Sequence, residues 1–94
     1  MRRRGNRLPV TGEDMLQRAA SVVAGRRKTY GDPRAFMTVL AQRWSITLGH
    51  PVTPAQVVLC LLDLKLARLR RDPKHQDSIC DLAGYAAILQ ELTR

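Results

Sequence analysis

The stretch PAQVVLCLLDLKLARLRR, residues 54–71, decides the fold. Thr53 and Pro54 give the usual start of a helix, because threonine caps the first turn and proline fits its first position. The apolar residues that follow cannot share one stripe: Val57, Val58, Leu59, Leu61, Leu62, Leu64, Leu66 and Leu69. A helix that is apolar on every side lies at the centre of a domain or in an interface between copies. In a chain this small we favour the interface, and therefore expect a homodimer or higher oligomer.

Two helices are predicted before this segment. TGED at residues 11–14 resembles a capping box, and an apolar stripe follows it. Gly25 is the expected end of this first helix, which makes residues 26–31 a basic loop. Asp32-Pro33 is a second start signal, and Gly49 is the expected end of the second helix.

A fourth helix is predicted after it. Asp72-Pro73 breaks the chain, and helical spacing of apolar residues then runs from about His75 to Leu92. No β-type alternation is present, so the fold class is all-α, a compact four-helix bundle-like domain over residues 11–94. Residues 1–10 are expected to form a flexible basic arm.

The chain carries a large excess of positive charge. Its 94 residues hold 16 Lys and Arg against 8 Asp and Glu, a net charge of +8. Such a balance on one small domain favours nucleic acid, a nucleoprotein complex or a nucleotide as partner. The sequence has neither a signal peptide nor an apolar run that could span a bilayer, so we expect no membrane contact and a cytoplasmic location.

Two groups of residues are candidates for binding anions. The arm supplies four arginines that could lie along phosphates. Residues 26–34 combine cations with a helix N-terminus and an aromatic face on which a base could stack. The candidates are Arg2, Arg3, Arg4, Arg7, Arg26, Arg27, Lys28, Tyr30 and Arg34.

Asp77 and Asp81 lie one turn apart on the fourth helix, and their role is open from sequence. Lys65 and Arg68 of the third helix could neutralise them in a polar core network, or could hold a phosphate beside them. A third alternative adds Asp63 and makes the acids ligands of Mg²⁺. Two cations among at most three acids favour the first two alternatives, so we predict no metal site and no cofactor.

The chain resembles a family of small all-helical phage and prophage proteins. The pattern consists of a Tyr-Gly pair, a tryptophan in the second helix, Lys-x-x-Arg in the third and Asp-x-x-x-Asp-x-x-x-Tyr in the fourth. It falls on Tyr30, Gly31, Trp44, Lys65, Arg68, Asp77, Asp81 and Tyr85. The layout is more distantly similar to MazG-type all-α nucleotide pyrophosphohydrolases, without their paired glutamates. The resemblance implies a host-takeover or counter-defence role, such as anti-CRISPR action or nucleotide sequestration.

The sequence as a whole favours a non-enzymatic protein that binds an anionic partner. The alternative is a Mg²⁺-dependent, MazG-like nucleotide pyrophosphohydrolase.

Overall fold

A computed structural model describes residues 11–94, which form four helices and no strand. Helix α1 spans Gly12–Tyr30, α2 spans Pro33–Leu48, α3 spans Pro54–Arg71 and α4 spans Gln76–Thr93. The predicted all-α, four-helix class is confirmed. The predicted arm, with Arg2, Arg3, Arg4 and Arg7, lies outside the described residues.

Helix α1 is longer than the sequence predicts. Thr11 caps it by accepting a hydrogen bond from the backbone N–H of Asp14, and the helix runs through Gly25 to Tyr30. The predicted end at Gly25 is wrong, because glycine weakens a helix by about 1 kcal/mol but does not forbid it. The end is Gly31, whose φ of 88° suits glycine, and the Asp32-Pro33 pair beyond it starts the next helix.

Helices α2 and α3 have the boundaries that their capping residues predict. Asp32 caps α2, and Gly49 ends it in the left-handed conformation. Thr53 caps α3 in a full capping box: its hydroxyl accepts from the backbone of Gln56, whose side chain accepts from the backbone of Thr53. These boundaries depend on contacts between residues at most four positions apart, so they can be predicted from the sequence.

Helix α4 occupies the centre of the fold. It packs against α1, α2 and α3, while α2 also packs against α3. Arg18 meets Asp77 near the start of α4, and Arg27 meets Glu91 near its end, so α1 and α4 run parallel. Lys65 meets Asp81, so α3 runs back along α4 in the opposite direction. The sequence left α3 either at the centre or in an interface, and the helix that packs against all three others is α4.

The core is small. Met37, Ala41, Val57 and Val58 are its buried centre, and half-buried residues including Trp44 and Tyr85 pack around them. Many large apolar side chains stay exposed: Leu16, Val22, Tyr30, Phe36, Val39, Ile46, Leu48, Leu59, Leu64 and Leu66.

Across residues 11–94, no helix combines the length and the apolar content that crossing a bilayer requires.

Candidate anion-binding surface and its ion pairs

Lys65 and Asp81 form an ion pair that joins α3 to α4. The Lys65 ammonium lies 3.0 Å from an Asp81 carboxylate oxygen. Only 14% of the Lys65 side chain and 35% of the Asp81 side chain are exposed. An ion pair this deep needs its partner, because either charge alone would be poorly solvated. The geometry suits charge neutralisation between two packed helices.

Asp77 has a different partner, on a different helix. An Arg18 guanidinium nitrogen of α1 lies 2.9 Å from its carboxylate, and 73% of the Asp77 side chain is exposed. The two aspartates that share one face of α4 thus face two different neighbours. Sequence analysis did not single out Arg18, because 59 residues separate it from Asp77 and no local pattern connects them.

Asp63 and Arg68, the other members of the predicted polar group, do not join these pairs in the described part of the chain. Both are exposed on α3. Asp63 is two positions from Lys65, which turns it to nearly the opposite side of the helix. The structure therefore brings together Lys65 and Asp81, and separately Arg18 and Asp77.

The junction between α1 and α2 holds a second group of ion pairs. Asp32 accepts from the backbone N–H of Arg34 at 2.9 Å and pairs with its guanidinium, also at 2.9 Å. These hydrogen bonds to Arg34 hold the pKa of Asp32 below its ordinary value. Arg27 pairs with Glu91 of α4 and lies 3.9 Å from Asp32, and its hydrogen bond to Glu91 raises its own pKa.

This junction differs from the loop that the sequence predicted. Arg26, Arg27, Lys28 and Tyr30 lie on the last turns of α1, and the side chain of Asp32 already occupies the N-terminus of α2. A bound anion would have to displace that carboxylate. Tyr30 is 74% exposed, so its ring is open to contact from outside.

The basic side chains outnumber their acidic partners. Residues 11–94 contain twelve Lys and Arg and all eight Asp and Glu of the chain. Four of these cations take part in ion pairs: Arg18, Arg27, Arg34 and Lys65. The others make none within the described part of the chain: Arg26, Lys28, Arg43, Arg68, Arg70, Arg71, Lys74 and Arg94.

Three of these cations lie close together where α3 gives way to α4. Arg68 and Arg71 belong to the last turn of α3 and Lys74 to the turn that follows, and all three are exposed. We call this group the basic tip. Asp72 lies between Arg71 and Lys74 in sequence and accepts a hydrogen bond from the backbone of Lys74. The sequence did not suggest this group as a binding site, because cations at a helix C-terminus are common and suit its negative pole.

The basic tip and the start of α1 lie at the same end of the molecule. Arg18 meets the first turn of α4, and Thr11 precedes Arg18 by seven residues, about 10 Å along the axis. Since α1 runs parallel to α4, Thr11 lies toward the end of the molecule at which α4 begins. Residues 1–10 join the domain there.

The described residues do not gather a set of metal ligands, and their buried cysteine lies in an environment that disfavours its thiolate. No three His, Cys, Asp or Glu side chains of residues 11–94 come together as metal ligands. Cys80 is buried, and that burial raises the pKa of its thiol, an effect that the Arg18 charge partly opposes. A thiol with a raised pKa is a poor nucleophile at neutral pH.

Residues 14–93 match the family model described as a domain of unknown function, DUF6378. The chain belongs to this family. The match covers α1 to α4, so all the ion pairs described above fall within the family's domain.

Two curated relatives of this DUF6378 domain come from mycobacteriophages. The Gene 55 protein of Mycobacterium phage L5 is 32% identical over 80 residues, which cover 83% of this chain and 51% of the relative. The Gene 55 protein of Mycobacterium phage D29 is 31% identical over 81 residues, or 85% and 54% of the two chains. The chain spans about half the length of these relatives. No solved structure matches it.

The predicted resemblance to a phage protein family is thereby confirmed. The more distant similarity to MazG-type enzymes has no counterpart in these matches.

Proposed function

We propose that this DUF6378 domain is a non-enzymatic binding protein that engages a nucleic acid, a nucleoprotein complex or a nucleotide through its basic tip. The observation that carries the proposal is the concentration of exposed cations at Arg68, Arg71 and Lys74, which make no ion pair within residues 11–94. They lie at the same end of the molecule as Thr11, through which the four arginines of residues 1–10 are connected to the domain.

Phosphate groups fit such a surface. Guanidinium groups bind phosphate oxygens through two parallel hydrogen bonds, and an exposed group of cations releases counterions from a polyanion when it binds. Arg26, Lys28 and the exposed Tyr30 at the far end of α1 are a second, smaller contact in this proposal. There Tyr30 would stack on a base.

The family indicates where in the cell this binding would take place. Two curated relatives are encoded by mycobacteriophages, and phages multiply inside a bacterial host. We therefore propose that the chain works in the host cytoplasm, in host takeover or counter-defence, by occupying a nucleoprotein complex of the anti-CRISPR kind or by sequestering a nucleotide.

The salt dependence of binding tests the proposal. A fluorescent DNA duplex, an RNA duplex of the same sequence and a labelled nucleoside triphosphate would be titrated with the protein at several salt concentrations. The triple variant Arg68→Gln/Arg71→Gln/Lys74→Gln should bind a duplex at least tenfold more weakly. Its slope of log K against log salt should be shallower, by about 0.9 for each phosphate that the variant no longer neutralises. Deleting residues 2–7 should act in the same direction.

Arg43→Gln is the matched control, since Arg43 is an exposed cation of α2 that makes no ion pair in the described part of the chain and does not belong to the basic tip. It should leave both the affinity and the slope nearly unchanged. Equal losses of affinity for the control and the triple variant would mean that overall charge, not the tip, attracts the polyanion. If none of the three probes binds, the proposal is wrong.

The pyrophosphohydrolase alternative is tested in the same samples. Mg²⁺-dependent release of pyrophosphate from a nucleoside triphosphate, abolished by Asp77→Asn with the fold intact, would establish it. The proposed binding protein should give no turnover above the buffer rate.

A further inference from the structure

Helix α3 presents an exposed apolar face on the side opposite its packed side. Val57, Val58 and the ion-paired Lys65 face the core and α4. Leu59 and Leu66, two turns apart on the other side, remain 48% and 52% exposed. Cys60 and Ala67, each next to one of these leucines, are exposed as well. We call these four residues, with Asp63 and Arg70, the outer face of α3.

Two opposite charges are placed symmetrically on this outer face. Asp63 precedes Leu66 by three residues and Arg70 follows it by four, which is about 4.5 and 6 Å along the helix axis. Both side chains are exposed, and neither takes part in an ion pair within residues 11–94. The midpoint between the two charges therefore falls at Leu66 and Ala67.

We propose that the outer face of α3 binds the same face of a second copy, with the two helices antiparallel and the two-fold axis at Leu66 and Ala67. The two-fold rotation places Asp63 of each copy next to Arg70 of the other. One such pair lies on each side of a central contact between the two Leu66 side chains. Residues 62–71 of the two α3 helices overlap, so the arrangement buries Leu66 of both copies and forms two equivalent ion pairs. A parallel pairing would instead bring Asp63 against Asp63 and Arg70 against Arg70, so charge disfavours it.

A second copy fits this face better than an unrelated protein does. A two-fold interface requires one patch to complement itself, so each charge needs its opposite at the same distance from the axis. The outer face of α3 meets that requirement within one helix. The helix is about 27 Å long, so the contact is smaller than that of a permanent dimer, and we expect a reversible monomer–dimer equilibrium.

Analytical ultracentrifugation over a wide range of protein concentration tests this interface. The unmodified chain should shift from monomer to dimer as concentration rises. Asp63→Arg and Arg70→Asp should each weaken association at least tenfold, because each places two like charges side by side across the axis. The double variant Asp63→Arg/Arg70→Asp restores opposite charges and should regain most of the affinity.

Leucine variants check the apolar part of the contact. Leu66→Ser should weaken the dimer, while Leu16→Ser, at an equally exposed leucine of α1, should not. Circular dichroism would show that every variant keeps its helices, which is expected because all four positions are exposed.

Three results would overturn the proposal. If the chain stays monomeric at every concentration, the outer face of α3 does not bind a second copy. A dimer unaffected by Leu66→Ser would use another surface. Single variants that dissociate without rescue in the double variant would exclude the antiparallel register. Because the measured quantity is mass and not binding of a polyanion, none of these results depends on the proposed function.

Discussion

At the scale of single residues, the two aspartates of α4 illustrate how different two similar positions can be. Asp77 and Asp81 share one face of the helix and each has a cation, but one pair is exposed and the other is mostly buried. The sequence spacing predicts that they should act together. In the folded chain they link α4 to two different helices, Asp77 to α1 and Asp81 to α3.

This difference predicts unequal effects of the same substitution. Asp77→Asn should lower the free energy of unfolding by less than about 1 kcal/mol, because exposed ion pairs contribute little. Asp81→Asn should lower it by about 2 kcal/mol, because it leaves the Lys65 ammonium buried without a counter-charge. Urea unfolding of the two variants checks the order, and each serves as the control for the other. An equal loss of stability at both sites would contradict the structural role assigned to Lys65 and Asp81.

The Asp32 carboxylate should make the stability of the folded protein depend on pH. Its hydrogen bonds to Arg34 lower its pKa in the folded state, so its carboxylate stabilises the fold above the ordinary aspartate pKa, about 3.9. That stabilisation should disappear as the pH falls through the lowered folded-state value. Asparagine also caps helices but does not titrate. Urea midpoints of Asp32→Asn should therefore fall less steeply than those of the parent chain between neutral pH and pH about 3. Parallel curves would show that Asp32 contributes no acid sensitivity.

At the scale of helices, the informative case is α1. The sequence places its end at Gly25 because glycine commonly follows the last turn of a helix. The helix continues because Val23 packs against α4 and Arg27 pairs with Glu91, and both contacts require helical backbone on either side of Gly25. Tertiary contacts thus override a local stop signal whose cost is only about 1 kcal/mol.

Alanine substitution tests the course of α1. Gly25→Ala should stabilise the protein by about 0.5–1 kcal/mol, because the site is open and alanine favours the helix. Gly84→Ala is the companion on α4: its added methyl group would lie 3.5 Å from Val23, an ordinary contact, so a similar gain is expected. Thermal unfolding measures both. A clear loss of stability at Gly25 would mean that α1 ends there.

At the scale of the whole molecule, the packing of residues 11–94 leaves two surfaces without partners among those residues. The basic tip is formed where α3 ends and α4 begins, and the outer face of α3 lies alongside it on the same helix. The proposed dimer would present two basic tips, and because its α3 helices are antiparallel, the tips would lie on opposite sides of the two-fold axis. Two linked sites bind a long polyanion more tightly than one, since the second contact is intramolecular.

The sequence by itself determines much of this protein. It determines the all-α class, the boundaries of α2 and α3, and the excess of cations, because caps, glycine conformations and composition act within a few residues of one another. It also predicts that Lys65 and Arg68 lie near Asp77 or Asp81, and of these possible pairs the structure forms Lys65 with Asp81.

Only the tertiary structure decides which helix is central, where α1 ends and which cation meets Asp77. Each of these depends on contacts between residues about 60 positions apart, such as Arg18 with Asp77 and Arg27 with Glu91. Local patterns carry no information about such pairs, because side chains that far apart become neighbours only when the helices pack. For the same reason, the exposed leucines of α3 could not be distinguished from its buried valines until α4 was in place.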